Sequence, residues 1–431
     1  MRKVPTPLHS DARNMLRPLR RAMIQLLQNL IRVDSVNVPP GGTETRAQLV
    51  LREFFQSWRI RSEMYSLAFL AESGHAYVRR DREYKGRKNL TVRFQGSGRG
   101  RSLLLNGHMD TVPPGNKGWS EWPWSGRLRQ GRVYGLGSFD MKAGVAAQAA
   151  VMAALQSAGV RLGGDLIFES VVDEEWGGGG GTLAGRLKGD CADAAVVSEG
   201  TQLAILRASR GGYVVDLHVE AGDASAYFSQ REVVSPAVPL GRLLQWVDGW
   251  VERRRKTKTG GAYAAVEDPA PVQVLAVEAN RMDRDVPLSV PTAAAVRVYF
   301  QFLPEEDVPA VLGEIRRSLE AFRAADPFFR KHSIQWKPLY DPPLLGHELA
   351  ESHPWTQCMA ASAERVMGRA PVISAAPYPC DAFLLQREFG IPALLFGPCG
   401  AGAHNPDEYV EASSVITTAE VLLAAALQWC C

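Results

Sequence analysis

Several things are scarce in this chain, and each scarcity removes a class of function. Six cysteines in 431 residues show no Cys-x-x-Cys spacing, and Cys430 and Cys431 are adjacent. That suits neither a zinc knuckle nor a simple disulfide framework, so they read as ordinary thiols. Charge of one sign is missing too, with a formal net charge of +3. The basic runs Arg253-Arg254-Arg255-Lys256 and Arg99-Gly100-Arg101 are short and lack interleaved aromatics, so no nucleic-acid partner is expected. No run approaches the roughly 20 apolar residues of a membrane span, and no continuous apolar core follows Arg17, Arg20 and Arg21. Neither a membrane partner nor a secretory signal is therefore expected, and cytoplasmic residence follows by default.

What is present is apolar material, 46% of the chain, enough to fill more than one core. An amphipathic helix runs through Leu16, Met23, Leu26, Leu27 and Leu30 and ends near Pro39-Pro40-Gly41-Gly42. A second covers Thr45 to about Trp58. Short apolar runs at Leu103 to Asn106, Leu166 to Val172 and Ala194 to Ser198 read as strands, with an alanine-rich helix from Ala143 to Ala158 between the first two. This alternation predicts an α/β fold with a mostly parallel sheet. After Leu206 the pattern changes: Gly212 to Glu220 and Ala293 to Phe302 read as strands, Val238 to Arg253 and Val308 to Ala325 as helices. The expected organisation is a catalytic domain, 1–206, interrupted by a smaller α+β insert, 207–341, and resumed over 342–431.

Possible chemistry lies at the ends of those apolar runs. Leu105-Asn106-Gly107-His108-Met109-Asp110 delivers an imidazole and a carboxylate to the C-terminal edge of a buried strand, where open α/β sheets keep their sites. Then come Gly137-Ser138-Phe139-Asp140-Met141-Lys142, Asp173-Glu174-Glu175-Trp176, Ser198-Glu199-Gly200 and Ala403-His404-Asn405-Pro406-Asp407-Glu408-Tyr409. His108, Asp140, Glu175, Glu199 and His404 suit a pair of zinc ions, each taking one histidine and one terminal carboxylate, with Asp140 as the shared bridge. Glu174 is left as general base on a metal-activated water. Asp110 shares a strand face with His108 and can accept the ring N–H. The glycines 177–181 follow three acidic residues and lack a Gly-Lys-Ser/Thr ending, so they read as close-approach backbone rather than a phosphate loop. Trp176 and the cluster Trp119, Trp122, Trp124 read mainly as packing residues, with an entrance or apolar acyl pocket as the functional alternative.

This ordered set, His-x-Asp, Gly-x-x-Asp-Met-Lys, Asp-Glu-Glu, Ser-Glu-Gly and a late Ala-His-x-x-Asp-Glu-Tyr, resembles the M20 family of co-catalytic zinc hydrolases over about residues 15 to 428. The resemblance implies metal ligands at His108, Asp140, Glu175, Glu199 and His404, a general base at Glu174 and an orienting carboxylate at Asp110. It also implies a cis peptide bond after Asp140, a lid domain in the insert and a homodimer formed through that lid. Two divalent ions are expected, zinc first, with cobalt or manganese as alternatives.

Departures from the family pattern bear on substrate. Many members carry a lid histidine that stabilises the tetrahedral intermediate in the partner's site; the matching stretch here, Gly222 to Tyr227, has none. Tyr227 could supply a hydroxyl, another histidine could act, or the help is reduced. Many relatives also place an arginine where Gln301 stands to meet a substrate carboxylate, whereas Arg297 lies four residues earlier on the same strand face. The family motif Gly-Arg-Gly reads Gly135-Leu136-Gly137. The expected function is a metal-dependent amidohydrolase (deacylase) that cleaves an N-acyl amino acid or similar small amide. One alternative is a dipeptidase or carboxypeptidase with the same centre. Another is a metal-binding scaffold impaired in turnover, which the presence of Glu174 argues against.

Overall fold

A computed structural model describes residues 8–115, 118–221, 234–279 and 290–431. The chain divides into two compact units: Met1–Ala208 with Glu348–Ala376 and Cys380–Cys431, and Ser209–His347 with Pro377–Pro379.

The larger unit is built on a mixed sheet whose centre is parallel. Ala393–Leu395, Ala195–Val197, Leu103–His108 and Leu166–Val171 run side by side in the same direction. Lys88–Phe94 and then Glu63–Ser66 add antiparallel strands on one flank, and Ile205–Ser209 on the other. Every residue of Leu103–His108 and Leu166–Val171 is buried, which is why they read as continuous apolar runs rather than alternating ones. Parallel pairing puts the ends of these strands, His108, Val171 and Val197, on one edge, and each is followed by acidic residues.

The helix Ala143–Ala158 has thirteen buried residues and stops at Gly159, whose left-handed φ of 63° caps it. Its alanines admit close neighbours, among them the C-terminal helix Ala412–Trp429, and both belong to one continuous apolar core. Ala412–Trp429 qualifies the expectation that no segment is long and apolar enough to cross a membrane: its mean hydropathy is 1.2 over 18 residues. It is a core helix, with 72% of that window buried, and its Glu420 pairs with Arg13 and Arg20. The expected single N-terminal helix is also divided, into Leu8–Leu16 and Arg20–Ile31, by a 3-10 turn at Arg17–Leu19. Pro18, which offers no N–H, sits in that turn.

A small antiparallel sheet joins Gly400–Ala401, Tyr409–Glu411, Arg132–Tyr134 and Arg127–Arg129. It ties the segment that carries His404 to the segment that leads into Asp140. Its strands have two or three residues each, too few for a periodicity to show.

The smaller unit is α+β. Its antiparallel sheet has the order Val272–Glu278, Ala293–Phe302, Gly211–Glu220, Ile334–Pro338. Ala237–Arg255 and Val308–Ala325 join these strands in a second core through Leu243, Val247, Val296, Val298 and Ile315. The Val272–Glu278 strand lies at the sheet edge, and only its first residue is buried.

Candidate active site

The five proposed ligands come together in two groups that share one residue. His108 Nε2 lies 3.0 Å from Asp140 Oδ1 and 3.7 Å from Glu199 Oε1. His404 Nε2 lies 3.3 Å from Asp140 Oδ2 and 3.0 Å from Glu175 Oε2. Asp140 thus turns one oxygen to each histidine, and the donor atoms of each group lie within 4.8 Å of one another. The peptide bond between Asp140 and Met141 is cis.

Each donor is placed by its element. His108 ends a buried strand. Glu199 follows Ala195–Val197, whose end is fixed by a hydrogen bond from the Ser198 N–H to the Asn106 carbonyl, 3.2 Å. Asp140 is held by Glu408, whose carboxylate accepts the N–H groups of Gly137 (2.7 Å), Phe139 (2.7 Å) and Asp140 (2.9 Å). Burial pushes the Glu408 carboxyl up to about 8. Lys142, fully buried, donates to the carbonyls of Leu30 (3.0 Å) and Val33 (3.4 Å) and so closes the end of the Arg20–Ile31 helix. His404 has a left-handed φ of 59° and its side chain is about half exposed.

The Glu174–Trp176 turn is held mainly by carboxylates. Asp110 accepts the Glu174 N–H at 3.3 Å and the Glu175 N–H at 3.1 Å. The Asp110 contact nearest to His108 Nδ1 is its main-chain carbonyl, 3.0 Å, with its carboxylate at 3.6 Å. The carboxylate is engaged by the turn instead. Asp173, left-handed at φ 73°, precedes the turn and receives Arg82 (2.6 Å) and Arg87 (3.0 Å). Arg87 also pairs with the buried Glu44. Asn37 donates to Asp110 at 2.7 Å and to Asp173 at 3.3 Å. The glycines after the turn are close-packed: a Cβ on Gly181 would meet the Val172 carbonyl at 2.1 Å.

The electrostatics favour added positive charge. Burial first, then neighbouring carboxylates, raises Glu174 and Glu199 well above the usual carboxylate range and raises Glu175. The buried Asp381 is pushed up to about 7, again by burial. Glu199 and Asp140 push His108 well up, against burial. Hydrogen bonds to Asp140 and Glu175 push His404 up to about 11. Asp140, facing two imidazoles, is held well below its ordinary value in spite of burial. Carboxylates therefore outnumber imidazoles in a nitrogen and oxygen donor set, and a pair of divalent cations fits both the charge and the donor chemistry.

The substrate contacts expected in the insert fare differently. Tyr227 lies outside the described residues. Arg297 is bound through both arms to Asp216, at 2.7 and 2.8 Å, directly across the antiparallel ladder. That cross-strand carboxylate engages the guanidinium through Nε and Nη2. Gln301 is 4% exposed and accepts from Arg210 at 3.1 Å. In the larger unit, Trp176 donates to the Asn37 carbonyl (3.0 Å) and Trp119 to the Pro114 carbonyl (2.7 Å), while Trp122 is 68% exposed.

Sequence reasoning assigned no role to Asn37, Arg82, Arg87, Asp173, Asp381 or Glu408. Asp173 and Glu408 sit inside recognised motifs and could have been found there. Asn37, Arg82 and Arg87 belong to no motif.

Two donor groups joined by one carboxylate, at the C-terminal edge of a parallel sheet, are the arrangement of a metal-binding hydrolase. A profile of Peptidase family M20/M25/M40 matches residues 104–428, and the chain belongs to that family of hydrolases acting on C–N bonds. It is similar to N-formyl-4-amino-5-aminomethyl-2-methylpyrimidine deformylase of Halalkalibacterium halodurans, 24% identical over 95% of each chain. It is also similar to succinyl-diaminopimelate desuccinylase of Methylobacterium nodulans, 28% identical over 72% of this chain and 76% of that one. In structure it resembles human carnosine dipeptidase 1, with a TM-score of 0.76 at 16% identity over 99% of this chain and 100% of that one. That likeness concerns the fold.

Proposed function

We propose that the chain removes the acyl group of a small N-acylated amine, an N-acyl amino acid or similar amide. His108, Asp140 and Glu199 would hold one divalent ion, and Asp140, Glu175 and His404 the other. The observation that carries the reading is the paired cluster, with Glu174 beside it and in neither group. Two bound cations would polarise the amide carbonyl and make a water more acidic. Glu174 accepts a proton from the attacking water as its oxygen bonds to the carbonyl carbon, then gives that proton to the nitrogen as the C–N bond breaks. The products are a carboxylate and an amine.

Zinc is the proposed metal, with cobalt or manganese as substitutes. Six free thiols support a reducing compartment, so cytoplasmic residence is proposed. A homodimer through the smaller unit is supported by the edge strand Val272–Glu278, where Val274, Leu275 and Val277 are 43–52% exposed; an apolar open edge favours pairing with a second copy. Val277→Lys should then shift sedimentation from dimer to monomer. Tyr227 is retained as a proposed hydroxyl donor, and Tyr227→Phe should lower kcat with zinc content unchanged.

The deciding experiment is a panel of N-formyl, N-acetyl and N-succinyl amino acids against dipeptides, using zinc-loaded protein. Turnover of the N-acyl substrates is expected. Activity confined to dipeptides would replace this reading with a dipeptidase, and no turnover of any amide would leave a metal-holding scaffold.

A further inference from the structure

We infer that Asn37 is a positioning residue for the turn that carries Glu174 and Glu175. Its amide nitrogen gives one hydrogen bond to Asp110 Oδ2 (2.7 Å) and one to Asp173 Oδ1 (3.3 Å). Its amide oxygen accepts from Arg82. Its main-chain carbonyl accepts the Trp176 indole N–H at 3.0 Å. The two residues flanking Glu174-Glu175 are thus both tied to Asn37, and Asp110, which accepts both of that pair's N–H groups, is tied to it as well. Among the described residues, Asn37 is the only side chain that donates a hydrogen bond to the Asp110 carboxylate.

The chemistry asks for an amide at this point. Asp110 and Asp173 are both fully buried carboxylates, and unbridged they would repel. Arg82 and Arg87 offset Asp173, but neither hydrogen-bonds to Asp110. A neutral group with two N–H donors and one acceptor joins the two acids to Arg82 without adding charge. Aspartate has the shape and no donors; leucine has a similar shape and neither donor nor acceptor. Asn37 itself is fixed by the short Asn37–Val38 strand and by its N–H to the Thr111 carbonyl, 2.9 Å. It acts on the reaction only through Asp110 and the turn.

The inference rests on the reading of Glu174 as base, and the test separates the two. In metal-free protein, hydrogen exchange at Glu174 and Glu175 should be faster in Asn37→Ala than in the parent, with exchange in the Leu103–His108 and Leu166–Val171 strands unchanged. In zinc-loaded protein, kcat should fall about 10- to 100-fold, as for loss of other supporting contacts at metal sites, with KM within about twofold. Asn37→Asp, which keeps the shape, should lose at least as much; Asn37→Ser, which keeps one donor, should recover part of the kcat. Should Asn37→Ala fail to fold, the serine variant reads the same exchange. Glu174→Gln runs beside them. If it retains full turnover, the base assignment fails. If it is inactive while Asn37→Ala keeps parental kcat and exchange, positioning alone fails. Faster exchange throughout the larger unit, with kcat lost only in proportion to unfolded protein, would also overturn it by making Asn37 merely structural.

Discussion

Gly144→Ala is a conservative change on paper and should be a damaging one here. Gly144 lies in the second position of the Ala143–Ala158 helix, where alanine by propensity alone would stabilise by about 1 kcal/mol. Its missing side chain faces the end of a strand instead: a Cβ would stand 1.9 Å from the Ser198 carbonyl oxygen and 2.7 Å from the Ser198 Cβ. Real Cβ contacts stay beyond 3.0 Å, so helix and strand would have to part by at least about 1.1 Å. The obstacle is backbone, and the next residue is Glu199. Metal-ligand distances tolerate only about 0.2 Å, and a displacement of about 1 Å near the chemistry typically costs about 100-fold in rate. Overpacking a dense core adds roughly 1–3 kcal/mol of destabilisation. The expected outcome is a folded protein that holds the His404 ion, binds the His108 ion weakly and has kcat lower by about 100-fold. Metal titration, kinetics and calorimetry measure these separately. A variant with two tightly held ions, parental kcat and a higher Tm would refute the steric argument.

Three further outcomes follow from the site. Glu174→Gln should keep both ions and lose at least about 100-fold in kcat, while Glu175→Gln should release one ion; the reverse pattern in metal analysis would exchange the two roles. The purified protein should carry up to two zinc ions per chain and lose its turnover on chelation, so full activity in demonstrably metal-free protein would end the metal mechanism. Glu44, pushed up to about 7 by burial against the pull of Arg87, keeps in the folded state a proton that the unfolded chain releases near 4.5. Stability therefore falls as pH rises across that window, by at most about 3 kcal/mol. Glu44→Gln should flatten the fall, and equal slopes for both proteins in denaturation from pH 4 to 8 would contradict it.

The parts of the fold that were legible are those where one local pattern decides. Ala143–Ala158, Ala293–Phe302 and Val308–Ala325 match their expected bounds because apolar content or period, with Gly159 and Pro304 beyond the ends of the first two, leaves little choice. Val272–Glu278 was not seen, since a strand with one buried residue shows no alternation. Of the proposed ligands, His108, Glu175 and Glu199 were legible because each ends or follows an apolar strand, whereas Asp140 and His404 rested on the order of the motifs. The supports around them were not: Asn37 is 73 residues from Asp110, and Arg82 and Arg87 are 91 and 86 residues from Asp173. Contacts at such separations leave no periodicity and no motif. The pairing of Arg297 with Asp216 is of the same kind, since Asp216 belongs to a neighbouring strand.

The order of the donors along the chain has a consequence for how the site is assembled. His108, Asp140 and Glu199 all precede the smaller unit along the chain, whereas the second group is completed only by His404, which follows it. The first donor group therefore lies wholly on one side of the smaller unit, and the second spans it. The helix that completes the large core, Ala412–Trp429, follows His404. Closing the core and completing the second donor group thus both wait for segments that follow the smaller unit. A chain cut short after the insert would lack both His404 and the helix that covers the large core.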